Sequence, residues 1–311
     1  MAARPIALAI GVFDGVHRGH QDIIRAAVEA ARARRGAAWA ATFDPHPDSV
    51  VRGVEDRTWI TPPEERAALL HAMGIDRVEV VRFDRSVSML LPEEFLDRLL
   101  GASAPLATLV VGADFRMGRG RLGDRAYLEA LGSRRGFEVV EVPFLLASGS
   151  APSPVKISST SLRAAIAEGR MEAAEAMMGR AYALEGIVGS GSGRGTDLGF
   201  PTANLEIHPA KMLPPPGIYI SDNEMDDQSA RGLTYVGSAP TFGPGPTRVE
   251  AFLVDFQGDL RGRTLKTLLR SKLRADKVFK SPRELAEAMQ EDLANARSYW
   301  AKKASANSEA R

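Results

Sequence analysis

Two histidines three residues apart have a spacing that suits phosphate chemistry. His17 and His20 stand in GVFDGVHRGH, after an apolar run at residues 6–13 and before the amphipathic run QDIIRAAVEAARAR. A buried strand, a turn and a helix start bring backbone N–H groups and the positive helix end to one place, which attracts phosphate. Both side chains fall on one face of the first helical turn, and Gly19 leaves room for a nucleotide. The motif predicts a phosphate site, although two exposed histidines at an ordinary helix start would share this spacing.

A second candidate phosphate site is KISSTSLR, residues 156–163. Small hydroxyl side chains at a helix start, flanked by Lys156 and Arg163, would form a cradle for phosphate oxygens. Helix capping is the commoner reason for Ser-Ser-Thr before a helix, and taken alone the segment would be interpreted that way. The histidine motif elsewhere in the chain favours the phosphate interpretation.

The second half of the chain offers oxygen ligands and a carboxylate. The segment at residues 189–207, GSGSGRGTDLGFPTANLEI, is dense in glycine, so its backbone is expected to bend round a ligand. Thr202 and Asn204 would point to the same side of a strand, where neutral oxygens suit a Mg²⁺ also bound to phosphates. Glu250 alternates with apolar residues and could accept a hydroxyl proton. From spacing alone, a solvent-facing Glu250 and an ordinary turn residue at Asn204 are the simpler interpretations.

Alternating strand and helix patterns predict the fold that positions the histidine motif. Apolar runs at residues 6–13, 37–43, 77–83, 107–112 and 137–143 indicate strands, and helical patterns lie between several of them. In TPPEERAALLHAMG we expect Thr61 as N-cap and Pro62 as the first helical residue. Glu64 would close a capping box, Gly74 would end that helix, and Gly101 would end LPEEFLDRLLG. The alternation predicts a doubly wound parallel α/β sheet.

The pattern changes after about residue 153. Two short helices are expected at residues 157–168 and 171–178, with Ser158 or Ser159 capping the first. Short β-biased segments from residue 180 to about 269 predict a small antiparallel barrel or sandwich. A capping box at residues 281–284 predicts a final helix towards Tyr299, and the polar tail KKASANSEAR at residues 302–311 is expected to be frayed. The predicted domains are therefore residues 1–153, a helical link at 154–179, and residues 180–311.

Composition narrows the class of protein. The 311 residues include 40 basic and 39 acidic side chains, so nothing indicates nucleic acid or an anionic membrane as the main partner. Cysteine is absent, which excludes disulfides, thiolate metal sites and a cysteine nucleophile, and fits the cytoplasm. The apolar N-terminal run is too short for a membrane span and lacks a signal-cleavage site.

The two phosphate motifs resemble the ATP-binding signatures of the HxGH nucleotidyltransferases, whose domain is a Rossmann-like doubly wound α/β fold. More narrowly, they resemble the FMN adenylyltransferase module of prokaryotic FAD synthetases, and TFDPHP and VVGADFRMGRGRLGD match further stretches in order. The resemblance implies that His17 and His20 are catalytic and bind ATP phosphates. It implies that the rest of the ATP site is Gly11, Phe13, Asp14, Gly15, Gly19, Lys156, Ser159, Thr160 and Arg163. Flavin or phosphate contacts are implied for His46, Asp114, Phe115 and Arg121.

The barrel segments GFPTANL, PPPGIY, VGSAPTFG and VEAFLVDFQGDLRG resemble, in order, the riboflavin kinase module of the same enzymes. The resemblance implies Mg²⁺ as cofactor, with Thr202 and Asn204 at Mg²⁺–ATP and Glu250 as the catalytic base. Further nucleotide or flavin contacts are implied for Gly191, Gly193, Arg194, Gly195 and Pro201. The chain departs from the usual pattern of the two modules at Lys156, Asp114, Ser192, Thr196, Tyr235, Ala239 and Arg261. The implied kinase trio is retained, so kinase activity is expected.

The two resemblances predict a bifunctional enzyme of flavin biosynthesis. It would convert ATP and riboflavin to FMN and ADP, and ATP and FMN to FAD and pyrophosphate, as a monomer or weak homo-oligomer. The alternative is a monofunctional FMN adenylyltransferase with a degenerate flavin-binding barrel, motivated by Tyr235, Ala239 and Arg261. A non-catalytic flavin-binding protein would leave the retained catalytic residues unexplained. A different HxGH enzyme, such as a cytidylyltransferase, would leave the barrel motifs unexplained.

Overall fold

The computed structural model describes residues 4–54, 57–101, 105–147, 155–189, 200–226, 228–238 and 247–309. The chain divides into two compact units. The first comprises Met1–Leu162 with Ala210–Met212, and the second comprises Arg163–Pro209 with Leu213–Arg311. Among the helices in these described ranges, none combines the length and apolar character that crossing a lipid bilayer requires.

The first unit contains a five-stranded parallel sheet. Its strands are β1 (Ile6–Ile10), β2 (Ala37–Asp44), β3 (Arg77–Arg82), β4 (Leu106–Gly112) and β5 (Glu138–Val142). The strand order is β3-β2-β1-β4-β5, so the direction of winding reverses between β1 and β4. Ligands of doubly wound sheets bind beyond the carboxyl ends of the strands at such a reversal. The segment that follows β1 is therefore at the place where this fold holds its ligands.

Helices and one short hairpin complete this half of the chain. The helices are α1 (Arg18–Ala33), α2 (Pro47–Arg52), α3 (Pro63–Ala72), α4 (Arg85–Ser88), α5 (Pro92–Leu100) and α6 (Arg125–Arg135). A 3₁₀ turn covers Arg119–Arg121, and β6 (Leu146–Ala147) pairs antiparallel with β7 (Val155–Lys156). Helix α7 (Ser159–Ala167) follows, and the division between the two units falls within it.

Strand β1 shows why the sheet is covered on both faces. Ile6, Leu8 and Ile10 belong to one buried cluster, together with side chains of α5 and α6. The alternate residues Ala7 and Ala9 belong to a second cluster, which contains the apolar side of α1. Successive strand residues point to opposite faces, so a strand buried on both sides is apolar throughout. The predicted doubly wound parallel α/β sheet is confirmed.

The start of α3 differs from the prediction. The helix begins at Pro63, and Pro62 is its N-cap with φ −50° and ψ 158°. A residue before proline is driven out of the helical region, so the Pro-Pro pair shifts the start by one position. Thr61 therefore lies outside the helix, and the capping box with Glu64 is wrong. The predicted end is right, since α3 stops at Ala72, two residues before Gly74.

In the described part of the second unit, six strands pair antiparallel. They are β8 (Tyr182–Gly189), β9 (Thr202–Ile207), β10 (Gly217–Met225), β11 (Gln228–Gly237), β12 (Arg248–Leu253) and β13 (Thr264–Ala275). They close into a barrel in the order β10-β11-β12-β9-β8-β13, with β10 pairing β13. Of the barrel and sandwich that the sequence left open, the structure is the barrel. Helix α8 (Met171–Met178) precedes it, as predicted.

The C-terminal helix α9 (Pro282–Glu309) packs on the outside of the barrel. The Ser281 hydroxyl accepts a hydrogen bond from the Glu284 N–H at 3.2 Å, which is one half of the predicted capping box. Ala296 and Trp300 pack against Ile220 of the barrel, so α9 is held by its apolar face. The helix continues past Tyr299 to Glu309, so it includes residues 302–309 of the tail, while residues 310 and 311 lie outside the described ranges.

Candidate active sites

The two histidines of the first motif stack on each other at the start of α1. His17 is the N-cap, and its Nδ1 accepts a hydrogen bond from the His20 N–H at 3.3 Å. The two imidazole rings lie 3.6 Å apart, with an angle of 17° between their planes. A Cβ on Gly19 would come within 3.3 Å of the His17 ring, so the glycine gives this ring its space. The predicted placement of both histidines on one face is confirmed.

The loop between β1 and α1 has an unusual backbone. The strand ends at Ile10, three residues earlier than predicted, and the Gly11 N–H bonds the Ala41 carbonyl at 3.1 Å. Positive φ angles follow at Phe13 (52°), Gly15 (86°) and Val16 (39°). Left-handed backbone costs a non-glycine residue about 1–3 kcal/mol and persists only where its surroundings impose it. The loop is therefore held in place by contacts outside itself.

One of those contacts comes from the second motif. The Ser159 hydroxyl donates to the backbone carbonyl of Asp14 at 2.9 Å, and so links two segments 145 residues apart in sequence. Ser158 caps α7, because its hydroxyl accepts from the Ser161 N–H at 3.2 Å. Thr160 is exposed, and Arg163 lies one turn beyond Ser159 on α7. Capping of α7 and the bond to the Asp14 carbonyl thus fall to different residues of KISSTSLR.

Lys156 and Asp114 form an ion pair in the first unit. The Lys156 Nζ lies 2.9 Å from the Asp114 Oδ2, and it also lies 3.4 Å from the centre of the Phe144 ring. Both side chains are solvent-exposed, at 40% for Lys156 and 68% for Asp114. An exposed pair of this kind is weak, so the ammonium group can exchange the carboxylate for another anion.

An aromatic cavity of about 400 Å³ lies next to α2 and the 3₁₀ turn. Among the residues that line it are Phe43, Phe83, Phe95, Phe115, Arg116 and Arg121. Aromatic walls with guanidinium groups suit a planar ring system that carries a negative charge. His46 does not line the cavity. It caps α2, with its Nδ1 accepting from the Asp48 N–H at 3.0 Å, and so positions a neighbouring wall segment.

The barrel unit brings the three predicted kinase residues together. Asn204 of β9 lies directly opposite Glu250 of β12. The Thr202 hydroxyl donates to the Glu250 Oε2 at 3.3 Å. Val249 and Ala251 are buried, so the alternation places Glu250 on the outer face of the barrel. Pro201 is exposed immediately before β9. Glu250 is half-buried beside a small cavity of about 50 Å³, so a purely solvent-facing role is excluded.

Thr202 and Asn204 offer oxygen atoms on the same face of the barrel as Glu250. Hydroxyl and amide oxygens are suitable Mg²⁺ ligands, but two neutral oxygens are too few to hold the ion alone. Within the described ranges, no group of three His, Cys, Asp or Glu side chains could hold a metal ion. Because Thr202 and Asn204 supply only two neutral oxygens, they fit Mg²⁺ only if other ligands, such as phosphate oxygens, complete the coordination.

At two positions where the chain departs from the usual kinase pattern, the structure shows the hydrogen-bond partners of the side chain. Tyr235 of β11 lies opposite Glu250, and its hydroxyl donates to the Asp276 carboxylate at 2.8 Å. Arg261 pairs with Asp259 on an exposed turn, and this hydrogen-bonded pairing lowers the pKa of Asp259 to about 2. Gly191, Gly193, Arg194 and Gly195, with Ser192, Thr196 and Ala239, lie outside the described residues.

Two residues near the first site were missed from the sequence. Thr61, predicted as a cap, bonds the loop at Asp14 and Gly15. Arg66 is fully buried, donates from Nη2 to the Phe43 carbonyl at 2.9 Å, and lies 4.4 Å from the centre of the Trp59 ring. Burial lowers the pKa of Arg66 to about 10, against the opposing effect of nearby carboxylates. Two features of the sequence could have indicated these roles: the Pro-Pro pair that follows Thr61, and the position of Arg66 among the apolar residues of α3.

Together, the fold and the two sites define a class of two-unit transferases that use nucleotides. The family model described as FAD synthetase matches residues 1–161, and the one described as riboflavin kinase matches residues 178–300. The chain belongs to the family of bifunctional riboflavin kinase/FMN adenylyltransferases.

Relatives match the chain over nearly its full length. The bifunctional riboflavin kinase/FMN adenylyltransferase of Escherichia coli strain K12 is 32% identical over 94% of this chain and 92% of its own. The protein of the same description from Bacillus subtilis strain 168 is 31% identical with the same coverage. A crystal structure described as a macrolide-efflux protein from Streptococcus pneumoniae is 28% identical, with a TM-score of 0.81 over 94% of each chain. The Escherichia coli and Bacillus subtilis relatives and both family models favour two activities over an adenylyltransferase alone.

Proposed function

We propose that the chain makes FMN and then FAD at two separate sites, one in each unit, with ATP as the second substrate of both reactions. Riboflavin and ATP give FMN and ADP; FMN and ATP give FAD and pyrophosphate. The observation that carries the proposal is that each compact unit has its own reactive constellation. His17 stacks on His20 in the first, and Glu250 accepts a hydrogen bond from Thr202 in the second.

In the barrel unit, Glu250 acts as the general base for phosphoryl transfer. It accepts the proton of the ribityl 5′-hydroxyl, whose oxygen attacks the γ-phosphorus of ATP while ADP leaves. Thr202 and Asn204 would hold Mg²⁺, which supplies neutralisation of the phosphate charge when bound. Pro201 and the glycine-rich segment with Gly191, Gly193, Arg194 and Gly195 are assigned to nucleotide and flavin binding.

In the first unit, the FMN phosphate attacks the α-phosphorus of a second ATP, and pyrophosphate leaves. The phosphate is already an anionic nucleophile, so no general base is needed. His17, His20 and Lys156 of the first unit stabilise the developing charge, and Arg163, farther along helix α7, is assigned the same role. The ATP site is completed by Gly11, Phe13, Asp14, Gly15, Gly19, Ser159 and Thr160, while His46, Asp114, Phe115 and Arg121 are assigned to the flavin or its phosphate.

The proposal also covers the domain boundaries, the location, the oligomeric state and the partners of the protein. Its domains are residues 1–153, a link at 154–179, and residues 180–311. It acts in the cytoplasm as a monomer or weak homo-oligomer, with neither nucleic acid nor a membrane as partner. The near balance of 40 basic and 39 acidic residues supports the absence of a polyanionic partner.

One incubation tests the function. The full chain with riboflavin, ATP and Mg²⁺ should form FMN, then FAD, and release pyrophosphate. If FAD forms from supplied FMN but no FMN forms from riboflavin, the monofunctional alternative is correct. If flavin binds and no pyrophosphate is released, the chain is a flavin-binding protein rather than an adenylyltransferase.

A further inference from the structure

We propose that Thr61 is a positioning residue for adenylyl transfer, holding the loop that carries the histidine motif. The proposal rests on the function assigned to the first unit. The Thr61 N–H donates to the Asp14 Oδ1 at 3.0 Å, and the Thr61 Oγ1 accepts from the Gly15 N–H at 2.8 Å. Asp14 and Thr61 are each 1% exposed, so water does not compete for either bond. The two bonds run in opposite directions between the same segments and define their relative position.

The loop requires such a clamp because its backbone does not favour this shape by itself. Phe13 and Val16 both have positive φ angles, which side-chain-bearing residues rarely adopt. A Cβ on Gly15 would come within 2.6 Å of the Leu162 side chain, so the loop is also closely packed at that point. His17 follows Val16 directly and caps α1. Any shift of the loop therefore moves the His17 ring and the His20 ring stacked on it.

Thr61 acts through the loop rather than on the reacting atoms. It lies before α3 and does not cap it, so its hydroxyl has no helical role. Catalysis of phosphate transfer depends on groups held in position before the reaction begins. Loosening the loop should therefore slow the chemical step, while the aromatic cavity, which Thr61 does not line, should keep its affinity for flavin.

The test compares three variants of the full chain. Thr61→Val removes the hydroxyl and keeps the shape, and Thr61→Ser keeps the hydroxyl. Thr108→Val is the matched control, because Thr108 is 1% exposed in β4 and its hydroxyl has no hydrogen-bond partner within the described part of the chain. FAD formation from FMN is measured for kcat and for the KM of FMN. Riboflavin phosphorylation and thermal unfolding report on folding.

We expect Thr61→Val to lower kcat for FAD formation about tenfold, since a buried N–H loses its acceptor. The KM for FMN and riboflavin phosphorylation should stay unchanged. Thr61→Ser and Thr108→Val should keep the wild-type kcat. A wild-type kcat in Thr61→Val, or an equal loss in Thr61→Ser, would overturn the proposal.

A measurement on the unaltered chain covers the case in which Thr61→Val does not fold. The Gly15 amide should be protected from hydrogen exchange, and rapid exchange at this amide would contradict the clamp. Failure of the proposed function can be told apart from failure of the clamp. If the wild-type chain forms no FAD from FMN, the proposed function is wrong. The Gly15 amide would still report on the clamp.

Discussion

Glu250 and Asn204 face each other across the antiparallel pair of β12 and β9. They are 46 positions apart in the sequence, and only the pairing of two barrel strands makes them neighbours. Thr202, two residues before Asn204 on the same strand face, donates its hydroxyl hydrogen to the Glu250 carboxylate. A potential base and two potential metal ligands therefore share one face of the barrel.

Replacing the base should separate the two activities. Glu250→Gln keeps the size of the side chain but cannot accept the ribityl proton, so FMN formation should fall by about 100-fold or more. FAD formation from supplied FMN should be retained, because that site lies in the other unit. Flavin products separated by chromatography give both rates. Glu185→Gln, on an exposed position of β8, is the control and should leave both rates intact.

Removing a histidine should have the opposite effect. His20→Ala takes away a ring that stacks on His17 at the helix start, and FAD formation should fall by about 100-fold. Riboflavin phosphorylation should be unaffected. Pyrophosphate release from FMN and ATP measures the loss, and His71→Ala, at an exposed position of α3, should not reproduce it. Loss of both activities in a folded His20→Ala chain would contradict the two-site assignment.

The charge of Lys156 should matter more than its exact shape. Lys156→Ala should lower kcat/KM for ATP in FAD formation about tenfold, because one charge-assisted contact to phosphate is lost. Lys156→Arg should retain most of the activity, and the loss in the alanine variant should shrink at high salt, where exposed charges are screened. Arg135→Ala breaks another exposed pair, with Asp97, and is the matched control. Equal losses in the two alanine variants would rule out a specific role for Lys156.

The buried Arg66 predicts a stability effect with a defined pH dependence. Arg66→Met should lower the free energy of unfolding by about 2 kcal/mol, since the Phe43 carbonyl loses its donor and the cation beside Asp14 and Asp44 is removed. Denaturant titrations of both proteins measure the difference. Arg66→Lys keeps the positive charge and should recover part of the lost free energy of unfolding.

The sign of the pH effect follows from the pKa of Arg66. The pKa of Arg66 in the folded chain, about 10, lies below the ordinary value of a solvated guanidinium, which applies to the unfolded chain. Below pH 10 the guanidinium is protonated in both states, so the difference between wild type and Arg66→Met should be constant. Above pH 10 the folded chain gives up this proton first, so the unfolded chain holds more protons and the wild type should gain stability relative to the variant. A difference that already changes near neutral pH would show that another group is responsible.

Local patterns predicted most of the secondary structure. Apolar runs correctly predicted the five strands of the parallel sheet, and Gly74 and Gly101 correctly predicted where α3 and α5 end. These features depend on residues that are neighbours in sequence. The start of α3 shows the limit of this reasoning. The pattern Thr-x-x-Glu indicated a capping box, but the backbone preference of Pro62 before Pro63 prevailed.

The sequence alone was enough to predict the histidine pair at a helix start and the common side of Thr202 and Asn204, because helix and strand periods are local properties. It also indicated both modules through the order of their motifs. The folded structure was needed to show which carboxylate accepts a hydrogen bond from Thr202, which serine donates to the Asp14 carbonyl, and that Thr61 bonds a loop instead of capping a helix. Those contacts join segments 46 to 145 residues apart. These contacts result from strand register and loop packing, which depend on the whole folded chain.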